Sequence, residues 1–269
     1  MKVLLNGKFV AAKDAKISVF DAGFTSGYGI YETLRAEDGE IAHLNDHIER
    51  LFRSAKFVDL KLPWTKTKLK KWTRETLKKN RLKDARLRIT VSFGSDPNYS
   101  SKESGPTLVI FAVSNLRNPK RLGFSAVTCE MERVLPEAKT TALLPQYLAR
   151  QFMSKMKADE VFLVNRRDEI TEGSVTNVFF VRGGNLITPK DGILKGTARA
   201  EVIETANKLR IKVVERAVKL QELKNFNECF VTNAPKGVVP VLRIDKVKIS
   251  DKIGPLTKLI LEKCSLGKL

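Results

Sequence analysis

The chain has 269 residues, of which 49 are Lys or Arg and 30 are Asp or Glu, a formal net charge of +19 at pH 7. That length buries a full core and lies where single cores tend to split, so two domains are expected. With 42% hydrophobic and 29% charged residues and no long apolar run, the composition excludes a disordered chain and a helical membrane protein.

The cysteines Cys129, Cys229 and Cys264 are odd in number and widely spaced, against a disulfide framework or a zinc pattern and for a cytoplasmic protein. The stretch MKVLLNGKFV does not resemble a secretory signal. His43 and His47 are the two histidines, too few for a histidine-rich metal site or a Ser-His-Asp arrangement, and no metal is expected.

KVLLNGKFV reads as a hairpin turning at Asn6-Gly7, and YETLRAEDGEIAHL as a second one turning at Glu37 to Gly39. Asn45 or Asp46 is expected to cap a helix in which Leu44, Ile48, Leu51, Phe52 and Ala55 share a face. From Lys61 to Arg88 there are twelve Lys or Arg and two acids, Glu75 and Asp84, a net +10 in one short piece. Leu69, Trp72 and Leu77 recur there at helical spacing, so the lysines form the wet face of an amphipathic helix. No nucleic-acid-binding signature accompanies them, and attraction of anionic small molecules is the expected use of the charge, with nucleic acid unlikely as a partner.

RLRITVSFG and PTLVIFAVS follow as β-rich runs, and then a polar segment, NLRNPKRLG. The expected organisation is an N-terminal domain over 1–115, a linker over 116–123 and a C-terminal domain over 124–269. The second half offers FSAVTCEMERV as a strand, Leu143 to Lys157 as a helix, and EVFLVN and VTNVFFVRGGNLITP as strands. Thr197 to Leu209 is a helix, KVVERAV and ECFVTN are strands, and a last helix runs near Leu256 to Cys264. Strands and helices interleave without a regular βαβ rhythm, which predicts an α+β fold in two domains.

Four features carry chemistry when taken together. Lys139 precedes the apolar run Thr140 to Leu144, so its amine heads towards an interior. Arg50 lies beside Leu51 on an amphipathic helix, and Glu172 is expected at a turn next to Gly173. Gly196-Thr197 opens a helix whose free N–H groups suit a phosphate. An amine, a carboxylate and a phosphate grip are what pyridoxal 5'-phosphate requires.

Five blocks in order resemble the fold-type IV, class IV aminotransferases, a family that includes branched-chain and D-amino-acid aminotransferases and aminodeoxychorismate lyases. They are FDAGFTSGYGIYETLRAEDGEIAHLNDHIERLFRSA, AKTTALLPQYLARQ, DEVFLVNRRDEITEGSVTNVFFV, GILKGTAR and FVTNAPKGVVPV. The resemblance implies a smaller N-terminal α/β domain, a larger C-terminal pseudo-barrel domain that binds the cofactor, and a homodimer. It makes Lys139 the catalytic Schiff-base lysine and Arg50 the phosphate arginine. It pairs Glu172 with the pyridine nitrogen and adds Asn177 of the Glu-Gly-Ser-x-x-Asn run, Gly196, Thr197, Ala198, Asn233 and Ala234 to the cofactor's surroundings.

The implied reaction moves an amino group between an α-amino acid and a 2-oxo acid. The alternatives are pyruvate elimination from aminodeoxychorismate and, remotely, a basic nucleic-acid-binding protein that has lost the chemistry. Tyr31 falls where the family places a pocket aromatic, Thr33 on a threonine found in the lyases, and Phe93 where D-amino-acid aminotransferases carry an arginine. Arg35, Arg86 and Arg88 are candidates for the substrate carboxylate. Pro235, lacking an N–H, replaces a backbone donor in the last block.

Overall fold

The computed structural model describes residues 1–95, 105–114 and 123–264. The chain forms two compact units, Met1–Asn118 with Glu137–Ala142, and Pro119–Pro136 with Leu143–Leu269. The expected linker at 116–123 lies outside the described residues except for Gly123.

The first unit is a six-stranded sheet in the order β2-β1-β6-β5-β3-β4. Its strands are β1 (Lys2–Leu5), β2 (Lys8–Ala11), β3 (Gly29–Glu37), β4 (Glu40–Ile41), β5 (Ala85–Ser92) and β6 (Thr107–Ser114), and a single turn, α1 (Ala22–Thr25), precedes β3. Both expected hairpins are present. Asn6 and Gly7 have φ of 48° and 87°, and Asp38 and Gly39 have 51° and 88°, the paired left-handed residues of a two-residue turn.

One face of this sheet is covered by α2 (Leu44–Phe57) and α3 (Lys66–Lys79). Leu44, Ile48, Leu51 and Ala55 of α2 and Leu69 and Leu77 of α3 meet Ile30, Leu34, Leu87, Ile89 and Ile110 in one core. Helix α2 starts earlier than expected. His43, left-handed at φ 50°, is its N-cap and makes no side-chain cap bond, while Asp46 sits inside the first turn near His43 Nδ1, 3.4 Å away. A carboxylate inside the first turn complements the helix dipole without capping it.

The second unit is a ten-stranded sheet in the order β12-β11-β10-β14-β15-β7-β8-β9-β13, with β16 on β15. The strands are β7 (Phe124–Glu130), β8 (Glu160–Val164), β9 (Glu169–Gly173), β10 (Asn177–Arg182), β11 (Asn185–Thr188), β12 (Val213–Glu215), β13 (Val218–Lys219), β14 (Glu228–Asn233), β15 (Gly237–Ile244) and β16 (Val247–Lys248). The sheet curls as a half-barrel, filled by Phe162, Phe180, Phe226, Val231 and Val241. The helices α5 (Thr197–Lys208) and α6 (Pro255–Lys263) pack over Phe179 and Phe230, and α4 (Leu144–Lys155) lies against β7 and β8.

Two local readings change. Glu172 lies within β9, a strand, and the turn follows it at Ser174 to Thr176. The short segment Glu137–Ala142 groups with the first unit although it falls inside the stretch expected as the second domain. The cause is a strand-like zipper: Tyr31 N–H donates to the Lys139 carbonyl at 2.9 Å, Thr141 N–H donates to the Gly29 carbonyl at 2.8 Å, and Ile30 and Thr140 form a bridge.

Candidate active site

In the first unit the site is built on β3. Alternation along the strand sends Ile30, Glu32, Leu34 and Ala36 towards the helices and Tyr31, Thr33 and Arg35 to the opposite face. The antiparallel register sets Arg88 of β5 opposite Thr33, and Thr90 opposite Tyr31. The Arg88 guanidinium stacks over the Tyr31 ring, 3.8 Å from its centre, and its Nε donates to Thr90 Oγ1 at 3.2 Å. Lys139 Nζ lies 5.0 Å from the centre of the same ring. An amine and a guanidinium therefore share one aromatic side chain, itself buried.

Lys139 is held by its backbone on two sides. Its carbonyl is zipped to β3, and its N–H donates to Ser54 Oγ on α2 at 3.1 Å. The flanking Ala138 and Thr140 are buried and Lys139 is half-buried. The apolar sequel runs inward less than expected, since Leu144 is 66% exposed.

Arg50 lies one turn before Ser54 on α2. Its Nε and Nη2 each donate to Glu32 at 2.7 Å, and His47 Nδ1 is 2.7 Å from the same carboxylate. All three side chains are buried. Burial alone would raise the Glu32 pKa, but the charge and hydrogen bonds of Arg50, with the hydrogen bond from His47, hold it well below the usual carboxylate range. Burial pushes the His47 imidazole below its ordinary value, with Glu32 opposing that shift. Of the other expected substrate residues, Arg35 donates to Glu37 at 2.7 Å and Arg86 is exposed. Phe93 packs against the core and meets Tyr28 edge to face at 6.3 Å.

In the second unit the site is a loop gripped from two strands. Glu172 of β9 accepts from Leu194 N–H at 2.9 Å with one oxygen and from Arg133 Nε with the other. Asn177, at the start of β10, donates from Nδ2 to the Leu194 carbonyl at 2.8 Å. Leu194 is thus held at both its N–H and its C=O, which fixes the entry into α5. The N-cap of that helix is Gly196, with no side-chain cap bond, and a Cβ there would stand 2.2 Å from Asn177 Oδ1.

Asn233 closes β14 by accepting from Lys236 N–H at 2.8 Å across the turn that holds Ala234 and Pro235. Thr232, opposite Asn177 in the β10–β14 register, has a buried hydroxyl with no partner among the described residues.

Sequence reasoning missed Arg133, Glu32 and Thr232. Arg133 had a signal, a lone arginine close ahead of Lys139, but nothing in the sequence pairs it with Glu172 across 39 positions.

The family model for class IV amino-transferases matches residues 29–244. The chain belongs to the class IV aminotransferase family. Members of this family work with pyridoxal 5'-phosphate, and Lys139, Glu172 and the helix entry at Gly196 all lie inside the matched span.

Among relatives, this aminotransferase is 37% identical to a provisionally named branched-chain-amino-acid aminotransferase of Methanocaldococcus jannaschii, over 98% of this chain and 95% of that protein. It is 33% identical to the D-alanine aminotransferase of Staphylococcus haemolyticus, over 97% and 95%. Among solved structures, the branched-chain aminotransferase of Thermoproteus uzoniensis with norvaline superposes with a TM-score of 0.91 at 31% identity, over 97% of this chain and 92% of that one. A 4-amino-4-deoxychorismate lyase fold from Legionella pneumophila is similar at a TM-score of 0.87 over 93% and 95%, but at 20% identity it shows the fold alone. The lyase reading is not favoured over the aminotransferase.

Proposed function

We propose that this aminotransferase moves the amino group of a small aliphatic α-amino acid to a 2-oxo acid, with Lys139 as its catalytic residue and Arg88 as the group that recognises the substrate carboxylate. The observation that carries this reading is the Tyr31 ring with Lys139 Nζ and the Arg88 guanidinium both upon it. Arg88 has no carboxylate partner among the described residues, unlike Arg35 and Arg50, so its charge is available to a substrate carboxylate. The aliphatic side chain is argued from the branched-chain and D-alanine relatives; they point to opposite configurations at Cα.

The donor set fits pyridoxal 5'-phosphate. Lys139 offers an amine on a fixed backbone. Glu172 offers a buried carboxylate paired with the Arg133 guanidinium, suited to a protonated ring nitrogen. Arg50, the helix entry at Thr197 and Ala198, and the buried unpartnered Thr232 hydroxyl suit a phosphate.

Gly196 lets backbone approach where a side chain would strike Asn177, and Asn177 and Asn233 act as clamps of the two turns rather than as cofactor contacts. When bound, the cofactor supplies an electron sink for the charge left on Cα. Lys139 Nζ takes the proton from Cα, for which its amine must be neutral, and Arg88 holds the carboxylate so that this proton faces the amine.

The test is a set of half-reactions in which holoenzyme is mixed with single L- or D-amino acids and followed by absorbance. Conversion by valine, leucine or alanine of one configuration is expected. No conversion by any of them, or pyruvate release from aminodeoxychorismate in their place, would overturn the reading.

A homodimer belongs to the same proposal. Leu144, Tyr147, Leu148 and Phe152 of α4, with Met156 just after it, are 37 to 66% exposed, an apolar face that a second copy would cover. Light scattering should return twice the mass of the 30.2 kDa chain. The cytoplasm suits the three cysteines, which are free thiols, and no helix among the described residues is long and apolar enough to cross a membrane.

A further inference from the structure

The charge of the first unit is concentrated on α3, outside the candidate site. Its apolar residues are used in the fold: Leu69 and Leu77 are in the core and Trp72 packs against it. The outward crest consists of Lys71, Arg74 and Lys78, spaced about 4.5 Å and about 6 Å along the axis. Arg74 and Lys78 have no ion-pair partner among the described residues, and Lys71 has only Glu75 at 3.9 Å.

Beside the crest two lysines are laid on aromatic rings, Lys68 on Trp72 at 4.9 Å and Lys79 on Phe9 at 5.1 Å, while Lys66, 5.5 Å from the Phe52 ring, is paired with Glu49 at 2.5 Å. Ring stacking limits the rotamer freedom that a flexible lysine would lose on binding an anion. At the C-terminal end of α3 the surface dips into an open groove of about 400 Å³ lined by Lys2, Lys79, Asn80 and Arg81, with no acid among its lining residues.

We infer that the α3 crest, Lys71, Arg74 and Lys78, continued by Lys2, Lys79 and Arg81 of the groove, docks the phosphate backbone of duplex nucleic acid. The row spans about 10 Å, more than one phosphate group occupies, whereas a duplex offers one charge per about 1.7 Å of its axis. A lipid surface fits less well, because α3 presents no apolar side chain to insert beside its cations. With no base-reading motif in the chain, the contact is to the backbone and independent of base sequence.

The test titrates holoenzyme into a fluorescent 24-base-pair duplex and follows anisotropy between 50 and 200 mM KCl. Three phosphate contacts predict a log K against log salt slope of about −2.7 or steeper, a loss of about 40-fold across that range. The triple variant K71Q/R74Q/K78Q should flatten the slope by about 2.7 while transamination is unchanged. A control with the same net charge, K212Q/K246Q/K252Q, on exposed lysines of the second unit, should keep the wild-type slope.

No binding of the duplex at 50 mM salt, an equal change in both triple variants, or binding to phosphatidylserine vesicles but not to the duplex would each overturn the inference.

Discussion

Each unit buries an arginine against a carboxylate, and the two pairs face opposite tasks. On β3 and α2 the expected cofactor group is the cation, Arg50, and the carboxylate of Glu32 backs it with two hydrogen bonds at 2.7 Å. On β9 the expected group is the anion, Glu172, and Arg133 backs it. A lone buried charge is costly, so each working group is paired with a counter-ion. The partners differ in kind. Glu32 has two partners and is fully enclosed, whereas Arg133 is seen with one carboxylate oxygen, the other being taken by the Leu194 N–H.

That contrast predicts graded losses. Glu32→Gln keeps the shape but leaves Arg50 without its anion, and should cost about 3 to 5 kcal/mol in urea unfolding, with weaker retention of the cofactor. Arg133→Met should cost about 3 kcal/mol and lower kcat more than it weakens cofactor binding, because Glu172 then loses the cation paired with it. If the two variants shift kcat and cofactor affinity in the same ratio, the division of roles between the units fails.

Arg88→Met should lower kcat/KM by about 10 to 100-fold, the value of a charge-assisted hydrogen bond of about 1.5 to 3 kcal/mol, mainly through KM and with little change in unfolding. A change confined to stability would return Arg88 to a structural role.

The same pair is also read in acid. Glu32 and His47 are both held below their ordinary values, so each contributes stability that is full above that value and is lost as pH falls. Unfolding free energy should decline below about pH 6.5 as unfolded His47 takes up a proton, and again below about pH 4.5 for Glu32. His47→Gln should remove the first decline and keep the second.

Much of the architecture was legible locally. Asn6-Gly7, Asp38-Gly39 and the start of α5 at Thr197 follow from turn and helix chemistry within a few residues. The start of α2 is not legible, because a left-handed His43 gives no capping signature. Gly173 suggests a turn at Glu172, but that glycine serves packing: a Cβ there would lie 2.0 Å from Thr176 Oγ1.

The backing residues were not legible at all. Glu32 meets Arg50 through the side-chain alternation of β3 against α2, and Arg133 meets Glu172 through the fold of the second unit, contacts that no local pattern encodes. Lys139 is legible as a candidate from its own block, but its place against β3 is not, because that depends on a bridge to a strand more than a hundred residues earlier.

The most direct test of the account is a single turnover at Lys139. Wild-type protein loaded with pyridoxamine 5'-phosphate and mixed with one aliphatic 2-oxo acid should yield one equivalent of amino acid. Lys139→Ala, loaded in the same way, should be slower by about 10³-fold or more, as expected for loss of the group that moves the Cα proton. A Lys139→Ala protein that completes the turnover at the wild-type rate would contradict the assignment of the reaction to that lysine.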